Sequence, residues 1–142
     1  MTDETRLTWY LWGSLALIGF GTLNLLALIS PVSAVMDAFV DLVFLPFDGA
    51  QRIESDGARL WVGIAGGLLA GLGATFLQVT RRVAAQDPGA GRAILLPGIL
   101  AWFVMDGAGS VAAGAPFNVA VNGVFLALFA VPALWPAAPA AD

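Results

Sequence analysis

Four long apolar stretches, separated by short polar ones, set the rhythm of this chain. Leu7 to Met36 holds no charged residue, and its apolar core, Leu7 to Ile29, is long enough to cross a bilayer with some tilt. Trp9, Tyr10 and Trp12 stand at its start, where an aromatic belt belongs, and Pro31 marks its expected end. Leu60 to Thr80 is a second uncharged run, bounded by Arg59 and by Arg81-Arg82. Ala93 to Gly114 is a third, broken only by Asp106. Phe117 to Trp135 is a fourth, opened by Pro116 and closed by Pro132 and Pro136, and Gly114-Ala115-Pro116 reads as a tight turn before it. The residues from Pro136 onward read as a frayed tail. The pattern predicts an all-α fold: a bundle of four transmembrane helices in one integral membrane domain, residues 1–142, with spans at about 7–30, 60–80, 93–114 and 117–135, an outer loop at 31–59 and an inner loop at 81–92.

A signal peptide is the rival reading of the first run, because Val32-Ser33-Ala34 offers small residues to a peptidase. The leader Met1 to Arg6 is not basic, however, and the apolar core exceeds the h-region of such a peptide. The outer loop is more than linker. Val35 to Phe47 is apolar except for Asp37 and Asp41, which lie four apart and so share one helical face, while Phe39, Val43 and Phe44 can point the other way. This predicts a short interfacial helix between the first and second spans, ended by Pro46; the alternative is that 38–47 extends a broken end of the first span. Asp48-Gly49 reads as a turn.

Composition sharpens the picture. Of 142 residues, 59% are hydrophobic and 11% charged, against roughly a quarter charged in soluble domains. Sixteen charges cannot clothe a soluble surface of this size, and fifteen of them fall at the ends, in loops or at span edges. The formal charge of −4 argues against nucleic acid as a partner. The chain has no Cys and no His, so thiol chemistry, iron–sulfur ligation, histidine-ligated haem and histidine acid–base work are all excluded. No cofactor and no metal are expected, and no phosphate loop, dinucleotide fingerprint or serine elbow is present. Arg6, Arg81, Arg82 and Arg92 fall on one side of the predicted bundle and Arg52 and Arg59 on the other, which favours cytoplasmic termini in a bacterial inner (cytoplasmic) membrane.

The residues that break the pattern are the candidates for chemistry. Asp106 is a carboxylate inside a span, where it is costly and usually faces the bundle interior or a water-filled cavity. Counting about 1.5 Å per residue from the 114–116 turn puts Asp106 and Asn122 at similar depth across the hairpin, with Ser110 and Asn118 a turn closer to the outside. Asn24 matches that depth in the first span, and Arg59 starts the second span from the same side. The expectation is a polar cluster of Asn24, Arg59, Asp106, Ser110, Asn118 and Asn122, serving as a structural hydrogen-bond network, as a pocket for a ligand, ion or quinone head group, or as a conducting path.

Gly63, Gly67 and Gly71 repeat every four residues in the second span and predict close helix packing, inside one bundle or against a second copy of the chain. The long first span ending at Pro31, the apolar segment 35–47 and the stretch Arg59-Leu60-Trp61-Val62-Gly63-Ile64-Ala65-Gly66-Gly67-Leu68-Leu69-Ala70-Gly71-Leu72-Gly73 together resemble the small four-helix bacterial membrane proteins of the DoxX-like group, its DUF4345-type members included. Some members of that group are named as quinone-reductase or thiosulfate-oxidation subunits, so the resemblance implies a membrane-embedded partner of a redox system. Short loops and the absence of redox ligands favour an integral membrane protein without catalysis of its own, an accessory or structural subunit whose partners are the lipid bilayer and other membrane subunits. The alternatives are a quinone-binding or small-molecule-binding subunit and a small transporter assembled from several bundles.

Overall fold

The computed structural model describes residues 1–29 and 32–136; the expected span end at Pro31 and the tail beyond Pro136 lie outside them. The described chain is helical, in the order α1 (Asp3–Leu26), α2 (Ser33–Phe44), α3 (Asp56–Val79), a π-helical turn (Thr80–Ala84), α4 (Pro88–Ala112) and α5 (Phe117–Leu134). Four of these helices, with the π turn continuing α3, are long and apolar enough to cross a membrane, which fits a multi-pass membrane protein. α2 is a separate short helix, not a continuation of the first span.

Capping explains why three spans begin earlier than hydropathy alone places them. The side chains of Thr2, Ser55 and Asp87 accept hydrogen bonds from the backbone N–H groups of Thr5 (3.2 Å), Ala58 (3.1 Å) and Ala90 (2.9 Å). Each satisfies a donor that a helix start leaves orphaned, so a polar first turn joins the helix. Pro88 occupies the first position of α4, where its missing N–H costs nothing. α4 ends in a Schellman-type turn: Gly114 takes a φ of +83°, and the Ala115 N–H reaches back to the Ser110 carbonyl at 2.8 Å.

α1 is the centre of the bundle. It runs antiparallel to α3 and packs on α5 with another face, while α4 rests on α5 and the π turn and meets α3 only sparsely. The α1–α3 crossing is made by backbone meeting backbone. A Cβ on Gly66 would lie 2.7 Å from the Gly21 carbonyl oxygen, and one on Gly73 would lie 2.8 Å from that of Ser14. Lipid tails are as apolar as Leu, so this close fit, more than burial from water, holds the spans together. The expected row Gly63, Gly67 and Gly71 does not make this contact within the chain. Gly63 meets only the tip of Leu28, and Gly67 and Gly71 meet nothing within 4 Å; they lie on the outer face of α3, one residue round the helix from the face that meets α1.

At the end holding the chain's N-terminus, Tyr10, Phe76 and Phe129 form an aromatic core with centroids 5.0–6.0 Å apart, beside Leu17, Leu95 and Ile99. Arg6 ties α1 to the end of α5. Its guanidinium donates to the carbonyls of Pro132 (2.9 Å) and Trp135 (3.1 Å). The first of these would accept from residue 136 in a continuing helix, but Pro136 has no N–H, so Arg6 supplies the missing donor. At the opposite end, Phe39 of α2 packs edge-on against Phe20 of α1, with centroids 5.1 Å apart. The paired aspartates of α2 hold the loop that follows. Asp41 accepts from the N–H groups of Gly49 (2.8 Å) and Gln51 (3.3 Å), and Asp37 from that of Ile53 (2.8 Å). The Gly49 N–H, more than any other contact, draws the Asp41 carboxyl below the ordinary carboxylate range. Asp48 and Gly49 form the expected turn, with Gly49 at a φ of +78° and the Asp48 carboxylate taking the Ala50 N–H.

Candidate functional site

The turn at Gly114 folds α5 back along α4, and the four-residue spacing on each helix then aligns two polar pairs. Asp106 and Ser110 come from α4, Asn118 and Asn122 from α5. Asn118 Nδ2 donates to Asp106 Oδ2 (3.2 Å) and to Ser110 Oγ (2.9 Å). Asn122 Nδ2 donates to the same Oδ2, and Ser110 Oγ donates to the Asp106 carbonyl at 2.8 Å. Asn122 is buried, while Asp106, Ser110 and Asn118 are half-buried.

The cluster is lopsided. Every amide donor lands on Oδ2, and among the described residues nothing donates to Oδ1. Nor is Oδ1 a sealed, orphaned atom; the carboxylate lies where two clefts meet. One, of about 430 Å³, runs between α3 and α4, with Ala65, Leu68, Leu69 and Leu72 on one wall and Trp102 and Met105 on the other. The second, of about 620 Å³, lies beneath α2, between Phe39, Val43 and Phe44 above and Trp61, Gly109 and Ser110 below. The sparse contact between α3 and α4 is what leaves this space. The helices are drawn together at the far end, where Gly91 abuts Ala84 of the π turn and the Phe76 ring fills the place of a Gly98 side chain. The resulting shape is an apolar groove, open sideways, with a carboxylate at one end.

Four of the six expected cluster residues are thus brought together, and two are not. Asn24 lies in the α1–α3 interface, its Cβ against Gly66 and its amide donating to the Phe20 carbonyl. Arg59 donates to the Leu28 carbonyl at 3.0 Å and so caps the end of the first span. The direction each side chain takes around its helix carries it to another partner. The walls of the clefts were missed in the sequence. The available signal was the row Ala65, Leu68, Leu69, Leu72, which shares one face of α3, and Trp102, one turn before Asp106 on α4.

A third hollow, of about 410 Å³, lies under the outer loop beside Asp37 and Asp41; both Asp41 oxygens and one Asp37 oxygen are engaged with loop N–H groups. Among the described residues no three His, Cys, Asp or Glu side chains gather to hold a metal ion. No family model, no curated protein and no solved structure matches this chain.

Proposed function

We propose that this chain is a non-catalytic protein of the bacterial inner membrane, an accessory subunit that holds a membrane-dissolved amphiphile in the α3–α4 cleft with its head group at Asp106. The observation that carries this reading is the free Oδ1 at the meeting point of two clefts, one with a purely apolar groove leading away from it. A span that needed Asp106 only as structural glue would gain nothing from leaving an oxygen open beside an apolar groove. The arginine distribution supports termini in the cytoplasm, which puts α2 and the Asp106 end of the bundle on the outer side. Membership of the DoxX-like group belongs to the same proposal and rests on the glycine-rich second span.

Organic extraction and mass spectrometry of the protein purified in mild detergent tests the reading. The native chain is expected to carry a lipid-soluble compound at near-stoichiometric amount. The Ala65→Trp variant, whose indole fills the groove, is expected to lose it. Identical extracts from the two proteins overturn the proposal.

A further inference from the structure

Resting on the reading of this cleft as an amphiphile site, we propose that the head group it takes is a cation, an ammonium carried on a hydrocarbon tail. The first ground is charge. Asp106 brings a carboxylate into a span, where an ionised group is normally paired. Among the described residues the ion pairs are Arg6 with Asp3 and Arg52 with Glu54, and neither reaches it. Arg59, the basic residue that starts α3 at this end, is engaged with the Leu28 carbonyl. No ionisable side chain other than Asp106 lines either cleft.

The second ground is the hydrogen-bond inventory. A quinone, an ester or a phosphate presents acceptors and needs donors from the protein. Most donors of the cluster are already turned inward: both N–H groups of Asn118 to Oδ2 and Ser110, the Ser110 hydroxyl to the Asp106 carbonyl, and one N–H of Asn122 to Oδ2. The position the carboxylate itself leaves open is an acceptor, Oδ1, and an ammonium is the head group that supplies it with donors and charge together. The third ground is the rim. Trp102 lines one cleft and Trp61 the other, each together with Asp106, and aromatic rings attract a desolvated cation. The tail then lies along Leu68, Leu69 and Leu72.

The test uses the full chain in nanodiscs of zwitterionic lipid and a fluorophore-labelled dodecylammonium, a primary ammonium with N–H donors, with its uncharged methyl-terminated isostere of the same tail as comparison. Empty nanodiscs correct for partition into lipid. The cation is expected to bind at least about tenfold more tightly than the isostere, which is the size of one ordinary step in affinity. Asp106→Glu is expected to keep that preference and Asp106→Asn to abolish it. A cation and an isostere that bind the native chain equally, both displaced by Ala65→Trp, overturn the cation and leave the cleft reading standing. A short-chain benzoquinone that outcompetes the cation does the same. Binding of neither probe, or binding indifferent to Ala65→Trp, overturns both. If Asp106→Asn does not fold, the preference measured in the native chain and in Asp106→Glu decides the matter alone.

Discussion

Neighbouring glycines of α3 make opposite predictions, and the contrast tests how the bundle is held. A Cβ on Gly66 meets the Gly21 carbonyl oxygen at 2.7 Å and the Asn24 Cβ at 2.9 Å, whereas a Cβ on Gly67 meets nothing within 4 Å. Both positions lie inside the helix, so replacing either glycine by alanine gains about 0.5–1 kcal/mol of helix propensity. At Gly67 that gain is the whole effect. At Gly66 the backbone of α1 cannot rotate aside as a side-chain tip would, so α1 and α3 must part by several tenths of an ångström along a crossing that also depends on Gly73. Overpacking of this kind costs about 1–3 kcal/mol. With a backbone atom as the obstacle the upper part of that range applies, and the net loss at Gly66 is about 2 kcal/mol.

The two adjacent substitutions should therefore differ by roughly 3 kcal/mol, of opposite sign. The assay is equilibrium unfolding in mixed micelles, followed by the fluorescence of the five tryptophans. Gly66→Ala is expected to unfold at distinctly lower denaturant than the native chain and Gly67→Ala slightly higher. Equal stability for the two variants would refute the argument that α1 and α3 meet backbone to backbone on the Gly66 face. A loss at Gly67 larger than at Gly66 would put the principal packing surface on the other side of the helix.

Arg6→Gln removes the charged donor from the carbonyls of Pro132 and Trp135 and should cost about 2 kcal/mol in the same unfolding assay, the scale of hydrogen bonds to a charged group; a loss under about 0.5 kcal/mol would mean the end of α5 is capped in another way. In a double-mutant cycle of Asp106→Ala and Asn122→Ala, a coupling of about 0.6–1.7 kcal/mol is expected, as for hydrogen bonds between membrane helices, and strictly additive losses would count against the bond. Asp41 gives a pH dependence. Its carboxyl is held below its unfolded value of 3.8, so its anchoring of Gly49 and Gln51 is fully present above that pH and is lost as pH falls through the lower, folded value. The amide resonances of Gly49 and Gln51 should therefore titrate together with a midpoint below 3.8, and a midpoint above it would contradict the anchoring.

How far the sequence could lead is clearest in what counting along a helix can and cannot yield. Asp106 with Ser110, and Asn118 with Asn122, are i, i+4 pairs on either side of a short glycine turn, so their meeting follows from depth and face alone. Asn24 was placed by depth and Arg59 by the end at which its span starts, both without a face, and neither says which neighbour a side chain addresses. The glycines show the same gap more sharply. Gly66 and Gly67 differ by one residue, which is about 100° around the helix, and a four-residue row through Gly63, Gly67 and Gly71 is the more visible pattern. The row that packs is Gly66 and Gly73, seven apart, against Ser14 and Gly21 of α1, also seven apart. Two helices crossing at a shallow angle keep one seam in register over two turns, so the same seven-residue interval must appear on both partners. That interval can be read in the sequence, but only by comparing the two spans with each other. The α3–α4 cleft is harder still to foresee, because it arises where two helices fail to meet: Gly91 and Phe76 draw them together at one end, and no small-residue pairing closes them at the other.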